Sequence, residues 1–146
     1  LGKLSEIGAE IMLNTLDGIK NNSIKPKKQD DTLATLAPKI NINDCRINWN
    51  ETAESIHNQI RAFTPYPGAF TFYKNKRIKL YGSKIENSVS NIKLNPGQIY
   101  YIKPNILIGS SNNYLRISEI QIEGKKKMPV TNFMHGNPGI VGSYFV

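Results

Sequence analysis

At 146 residues the chain is long enough for one compact domain with an attached arm and too short for several. Nineteen Lys and Arg against eleven Asp and Glu leave a net charge of +8, and no apolar run approaches the ~18 residues that a bilayer span requires. The single cysteine, Cys45, excludes an internal disulfide and a cysteine-based zinc site, and points to a reducing, cytoplasmic setting.

The first residues are charged and amphipathic and lack the apolar core of a signal peptide. The start at Leu1 reads as a piece of a longer polypeptide. Residues 1–20 hold two basic and three acidic side chains, whereas residues 64–130 hold eleven basic and three acidic. The positive excess therefore sits on the later part, which suits a polyanionic partner. A lysine-rich surface from a lysine- and asparagine-biased proteome gives the same count.

In chain order, residues 3–20 read as a helix, because Leu4, Ile7, Ile11, Leu16 and Ile19 recur near helical spacing. Its apolar stripe needs a partner, since a lone helix of this length is marginal in water. Residues 21–46 read as a linker: Asn21-Asn22-Ser23 breaks the helix, and Pro26 and Pro38 block regular structure. Cys45 is expected to be a passive linker residue. Asn50 is the predicted N-cap of a second helix over 51–63, whose buried stripe is Ala53, Ile56, Ile60 and Phe63. Trp49 is expected to anchor its entrance.

From residue 69 the pattern changes to strands. Ala69–Tyr73 and Arg77–Tyr81 flank a hairpin turn at Lys74-Asn75-Lys76, with Ile78 and Leu80 facing one way and Arg77, Lys79 and Tyr81 the other. Strands over 98–102, 106–109 and 114–123 follow. In the last of these the apolar phase slips between Ile117 and Ile120, which predicts a bulge near Ser118. A short helical turn is expected over 131–135, and the tail has no clear pattern. The expected fold is mainly β with flanking helices: an OB-like small barrel preceded by a helix, with an N-terminal helix and an extended linker. The corresponding segments are 1–20, 21–46, 47–136 and a tail over 137–146. No internal repeat is present.

One stretch is specific: Ile60-Arg61-Ala62-Phe63-Thr64-Pro65-Tyr66-Pro67-Gly68-Ala69 closes the second helix and opens the first strand. Pro65 and Pro67 cannot continue the helix, and Gly68 lets the backbone turn tightly. This string resembles the I-R-A-F-x-P-x-P-G-A motif of methionyl-tRNA formyltransferases, in the domain that follows their catalytic domain. The resemblance extends in order through Gly8-Ala9, Thr15-Leu16, Gln29, Ala37-Pro38-Lys39-Ile40, Ile47-Asn48-Trp49, Asn95-Pro96-Gly97, Gln121-Ile122-Glu123-Gly124-Lys125-Lys126 and Phe133-Met134-His135-Gly136. Asn48 stands where the family usually has Asp, Leu36 replaces a common Tyr, and Ile42 stands where a second Lys is common.

The resemblance implies a linker and a C-terminal tRNA-binding domain of an enzyme that formylates initiator methionyl-tRNA with formyl-tetrahydrofolate. It implies no cofactor and no catalytic residue in this chain, because the family's Asn-x-His pair and H-x-S-L-L-P string are missing from it. The implied partners are initiator methionyl-tRNA and a separate catalytic domain, with no membrane. Two alternatives are the accessory domain of a folate-dependent nucleotide-sugar formyltransferase and a generic OB-type nucleic-acid binder.

The RNA-binding candidates are Lys39 in the linker, Lys74, Lys76, Arg77 and Lys79 on the hairpin, and Lys125, Lys126 and Lys127 in the turn after the last strand. A solvated hairpin and a solvated turn are the competing readings. Tyr73 and Tyr81 are candidates for stacking on a base. Arg61 is expected to bond loop carbonyls and, with Pro65, Pro67 and Gly68, to shape the corner. His57 and His135 have no metal-ligand company and are expected on the helix surface and at a helix end. Asp30-Asp31 and Glu51/Glu54 read as linker and first-turn acids, not a catalytic pair.

Overall fold

A computed structural model describes residues 2–87, 89 and 92–146. The chain forms two compact units, Leu1–Pro38 and Lys39–Val146.

The first unit is built on α1, Gly2–Lys20. It ends in a Schellman motif: Asn22 takes a φ of 57°, its N–H donates to the Ile19 carbonyl at 3.1 Å, and the Ser23 N–H donates to Gly18 at 2.9 Å. Ile24 then folds back against Gly18, which is buried. Within this unit the expected stripe of α1 is largely open, with Leu4 72% and Ile11 59% exposed. Asp30 caps a 3-10 turn over Asp31–Leu33, its carboxylate accepting from the Thr32 N–H.

The second unit begins earlier than the expected domain. Asn41 and Asp44 make a capping box around a 3-10 turn, Ile42–Cys45. Cys45 and Ile47 are buried. Cys45 is thus a core residue of this unit and not a linker residue. Burial pushes its thiol pKa up, with Asp44 adding to the shift, so it remains an inert thiol.

Helix α2 spans Ala53–Phe63. Its N-cap is Thr52, whose hydroxyl accepts from the Ser55 N–H at 3.2 Å, and not the expected Asn50. Asn50 instead lies in a turn organised by Asn48, whose side chain accepts from the Asn50 N–H and whose carbonyl accepts from the Glu51 N–H. A second cap comes from far along the chain, as Asn112 accepts from the Ala53 N–H at 2.9 Å and donates to Glu54 at 3.2 Å. Ala53, Ile56 and Ile60 are buried, and Phe63 packs on the same core while half-buried.

Six antiparallel strands follow: β1 Phe70–Tyr73, β2 Lys76–Glu86, β3 Ile99–Ile102, β4 Asn105–Gly109, β5 Tyr114–Ile122 and β6 Met128–Pro129. The sheet order is β1-β2-β5-β4-β3, with β6 on β5. Helix α3, Val130–His135, closes the run. The mainly β fold with flanking helices is the expected class, built as a curled antiparallel sheet around one core.

Three local readings change. The hairpin turn is the two residues Lys74-Asn75, both at positive φ (48° and 62°), and Lys76 already pairs with Tyr73. β2 runs to Glu86, well past Tyr81, and pairs with β5 from Ile78↔Ile122 to Glu86↔Tyr114. The phase slip at Ser118 is real, but no extra residue is inserted. Register is the same on both sides of it, from Tyr81↔Glu119 to Ser83↔Ile117. One residue on each strand absorbs the change: Gly82, at φ +62°, lies against Ser118, whose hydroxyl donates to the Gly82 carbonyl at 3.2 Å.

The tail is the largest correction. Ile140 and Phe145 are buried in the core, so the last residues belong to the domain. The Gly142 N–H donates to the Ile99 carbonyl; the Ile99 N–H in turn donates to Ser143, and that of Phe145 to Gly97. Val146 and Phe72 exchange backbone hydrogen bonds of 2.8 and 3.0 Å. Residues 142–146 therefore join the β3 side of the sheet to β1, its two outer strands. Phe145 stacks on Trp49 at 6.2 Å and meets Tyr73 edge-on. Trp49 Nε1 donates to the buried Thr71 hydroxyl, which donates to the Val146 carbonyl. The tail lacks periodicity because it is one irregular stave whose two buried side chains are five residues apart.

Candidate nucleic-acid interface

The β1–β2 hairpin sets the site. Its register places Phe70 opposite Lys79 and Phe72 opposite Arg77, so basic and aromatic side chains share one face. The Arg77 guanidinium lies 5.5 Å from the Phe70 ring, and Arg46 lies 5.5 Å from Phe72. Lys127 sits 5.4 Å over Tyr81. The aromatic rings hold these cations by cation–π attraction and burial of their stems. Sequence reasoning missed Arg46, Phe70 and Phe72, which only the strand pairing brings into this set.

The basic side chains divide by partner. Arg77 pairs with Glu123 at 3.2 Å and Lys127 with Glu119 at 2.9 Å. Lys74, Lys76, Lys79, Lys125 and Lys126 have no ion pair among the described residues, and each is exposed or half-exposed. These five share the hairpin and the turn, and of them Lys74 also lies 5.3 Å over the Tyr73 ring; Lys84, Lys93 and Lys103 are likewise exposed without an ion pair among the described residues. The turn holding Lys125 is fixed by Gln121, whose amide donates to the Lys125 carbonyl at 2.9 Å. Lys39 is exposed in the segment before the Ile42–Cys45 turn, with no bond to the hairpin among the described residues.

Tyr73 and Tyr81 do not suit the stacking role. Tyr73 is 8% exposed and packs against Phe145; Tyr81 is 5% exposed, with its hydroxyl donating to Gln121 at 3.1 Å. Burial raises the Tyr81 pKa. The two tyrosines are structural: Tyr81 keeps the Lys79 face of β2 as expected, but Gln121, Lys127 and the Gly68 corner cover it there. The most exposed ring is Tyr66, 85% accessible, at the corner between Pro65 and Pro67. At that corner the Gly68 N–H donates to the Phe63 carbonyl at 2.9 Å, and Gly68 takes φ +89°. A Cβ there would lie 2.8 Å from the Lys79 stem and 3.0 Å from the Tyr81 hydroxyl, so glycine lets the corner seat against β2.

Arg61 is exposed and donates to Asn58 at 3.3 Å, one turn back on its own helix, and not to loop carbonyls. Gln59 does that work instead, donating to the Asp44 and Arg46 carbonyls at 2.8 and 3.1 Å. His57 is half-buried, its Nδ1 2.8 Å from the Ser83 hydroxyl; burial, helped by Arg61, lowers its pKa. His135 is exposed at the end of α3. Glu54 sits below the usual carboxylate range because Asn112 donates to it. No group of three metal-ligating side chains occurs among the described residues, and no helix among them is long and apolar enough to cross a membrane.

Residues 39–138 match the family described as formyl transferase, C-terminal domain. The methionyl-tRNA formyltransferase of Staphylococcus epidermidis is 41% identical over 136 residues, which is 92% of this chain and 43% of that protein. That of Carboxydothermus hydrogenoformans is 38% identical, over 97% of this chain and 46% of the relative. The chain thus spans less than half the length of these relatives. Among solved structures, HypX from Aquifex aeolicus in complex with tetrahydrofolic acid superposes with a TM-score of 0.69 at 20% identity, over 90% of this chain and 23% of that one. The hairpin, the proline corner and the curled sheet all fall inside the matched span, and the chain belongs to the formyl transferase C-terminal domain family.

Proposed function

We propose that this chain is the tRNA-binding accessory domain of a cytoplasmic methionyl-tRNA formyltransferase, whose whole form moves a formyl group from formyl-tetrahydrofolate to the amino group of initiator methionyl-tRNA. The observation that supports RNA binding best is the set of lysines without acidic partners on one hairpin and one turn: Lys74, Lys76, Lys79, Lys125 and Lys126. Phosphate contacts need mobile, unpaired cations, and A-form RNA hides its base edges in a deep groove, so backbone and shape carry recognition.

The chain's own residues do not fit the folate cofactor or the transfer chemistry. His57 lies against Ser83, and His135 is exposed on a short helix. The Asn-x-His string of the family's catalytic half is absent from this sequence. Chemistry is therefore assigned to a separate catalytic domain, and binding to this one.

The test is a salt titration of tRNA binding to the 146-residue chain. If about four to six phosphates are neutralised, log K against log salt falls with a slope of roughly −3 to −5. A slope near zero, or no binding at low salt, removes the proposal.

A further inference from the structure

A cavity of about 520 Å3 opens between the β1–β2 hairpin and α3. Its apolar lining is the half-buried Ile122 and Met128, laid over the buried Phe133, and Lys74, Lys76 and Lys125 also line it. Asn132 also lines it, exposed, and its side-chain amide makes no hydrogen bond among the described residues. The neighbouring Asn137 amide is committed to the Phe133 carbonyl at 2.9 Å. One carboxylate, Glu123, reaches the margin, and its charge is offset by Arg77 at 3.2 Å.

We infer that this cavity seats one unstacked nucleotide, its base on the Ile122–Met128 floor and its phosphate among Lys74, Lys76 and Lys125. The inference rests on the RNA-binding reading and names where a base would enter it. The volume lies within the range of small-molecule sites. An apolar floor gives nothing to a bare phosphate, and a ring of three lysines gives nothing to an apolar peptide. A nucleotide satisfies both halves. The free Asn132 amide supplies both donor and acceptor, which is the pairing an exposed base edge presents. Single-stranded nucleotides are read in this way, with the base splayed onto a platform and the phosphate in a basic rim.

The experiment is an amide NMR titration of the whole chain with adenosine 5′-monophosphate and, in parallel, inorganic phosphate. Saturable shifts at Lys125, Gly136 and Asn137 with the nucleotide, several-fold weaker with phosphate, are expected. Asn132→Phe fills the cavity and leaves every lysine in place. It should abolish the nucleotide response and weaken tRNA binding several-fold, without changing the salt slope. Asn132→Ala, which adds no bulk, should weaken the nucleotide alone and leave phosphate unchanged. A chain that binds tRNA with the expected slope but gives no saturable nucleotide shift overturns the cavity assignment and spares the RNA reading. Equal response to phosphate and nucleotide also overturns it. Absence of all tRNA binding overturns both.

Discussion

At the scale of single residues, ion pairing separates lysines that sequence cannot tell apart. Lys125, Lys126 and Lys127 are identical neighbours, yet only Lys127 is tied to Glu119 and to the Tyr81 ring. Lys125→Ala with Lys126→Ala should flatten the tRNA salt slope by about two, one for each phosphate left without its lysine. Lys127→Ala alone should change it by less than about one, because that charge is already partnered. Equal slopes for the two variants, measured by salt titration, would show that partnering does not decide which lysine meets RNA. His57 carries a different signature. Its pKa is lowered in the folded chain, so the unfolded state binds the proton more readily. Stability is therefore full above the ordinary histidine pKa and falls as pH drops from ~7.5 toward ~5.5. Urea melts across that window should show the fall, and His57→Gln should reduce it.

At the scale of elements, α2 is the joint between helix and sheet. Ile60 is buried between it and the strands. Ile60→Ala should cost about 2–5 kcal/mol, since the helix start is pinned by both Thr52 and Asn112 and cannot collapse freely into the void. Chemical denaturation at constant m-value is the check, and a drop under half a kcal/mol, roughly the effect of a surface change, would put Ile60 outside the core. The stripe Ala53-Ile56-Ile60 was legible because its spacing is a property of eleven contiguous residues. The Asn112 cap was not, since it joins residues 59 positions apart. The same difference explains the site. Lys74, Lys76, Arg77 and Lys79 lie on one hairpin and could be grouped by reading. Arg46, Phe70 and Phe72 join them only through strand pairing, and the burial of Tyr81 on its expected face comes from Gln121 and Lys127, some 40 residues away in sequence. Apolar phase showed where β5 changes face. It did not show that β2 changes with it, because Gly82 has no side chain to register the shift.

At the scale of the whole domain, an open-edged sheet is made continuous by residues 142–146. Phe145 is 2% exposed and stands between Trp49 and Tyr73. Phe145→Ala should cost about 3–5 kcal/mol, the range for a buried aromatic, although the position lies outside every regular element. Thermal or urea unfolding measures it. A change within ±0.5 kcal/mol, roughly the range of a surface site, would mean that the tail is laid against the domain without supporting it.

That stave follows every strand it joins in the order of synthesis. Chains emerge at ~5–20 residues per second, so β1, β2 and β5 leave the ribosome seconds before the residues that join β1 to β3. Throughout that interval the Trp49 indole lacks its Phe145 stack, and Phe72 lacks its partner Val146. Two unpaired strand edges and an open aromatic cluster are the features that recruit chaperones and stray strands. The domain is thus most vulnerable while nearly all of it has already been made.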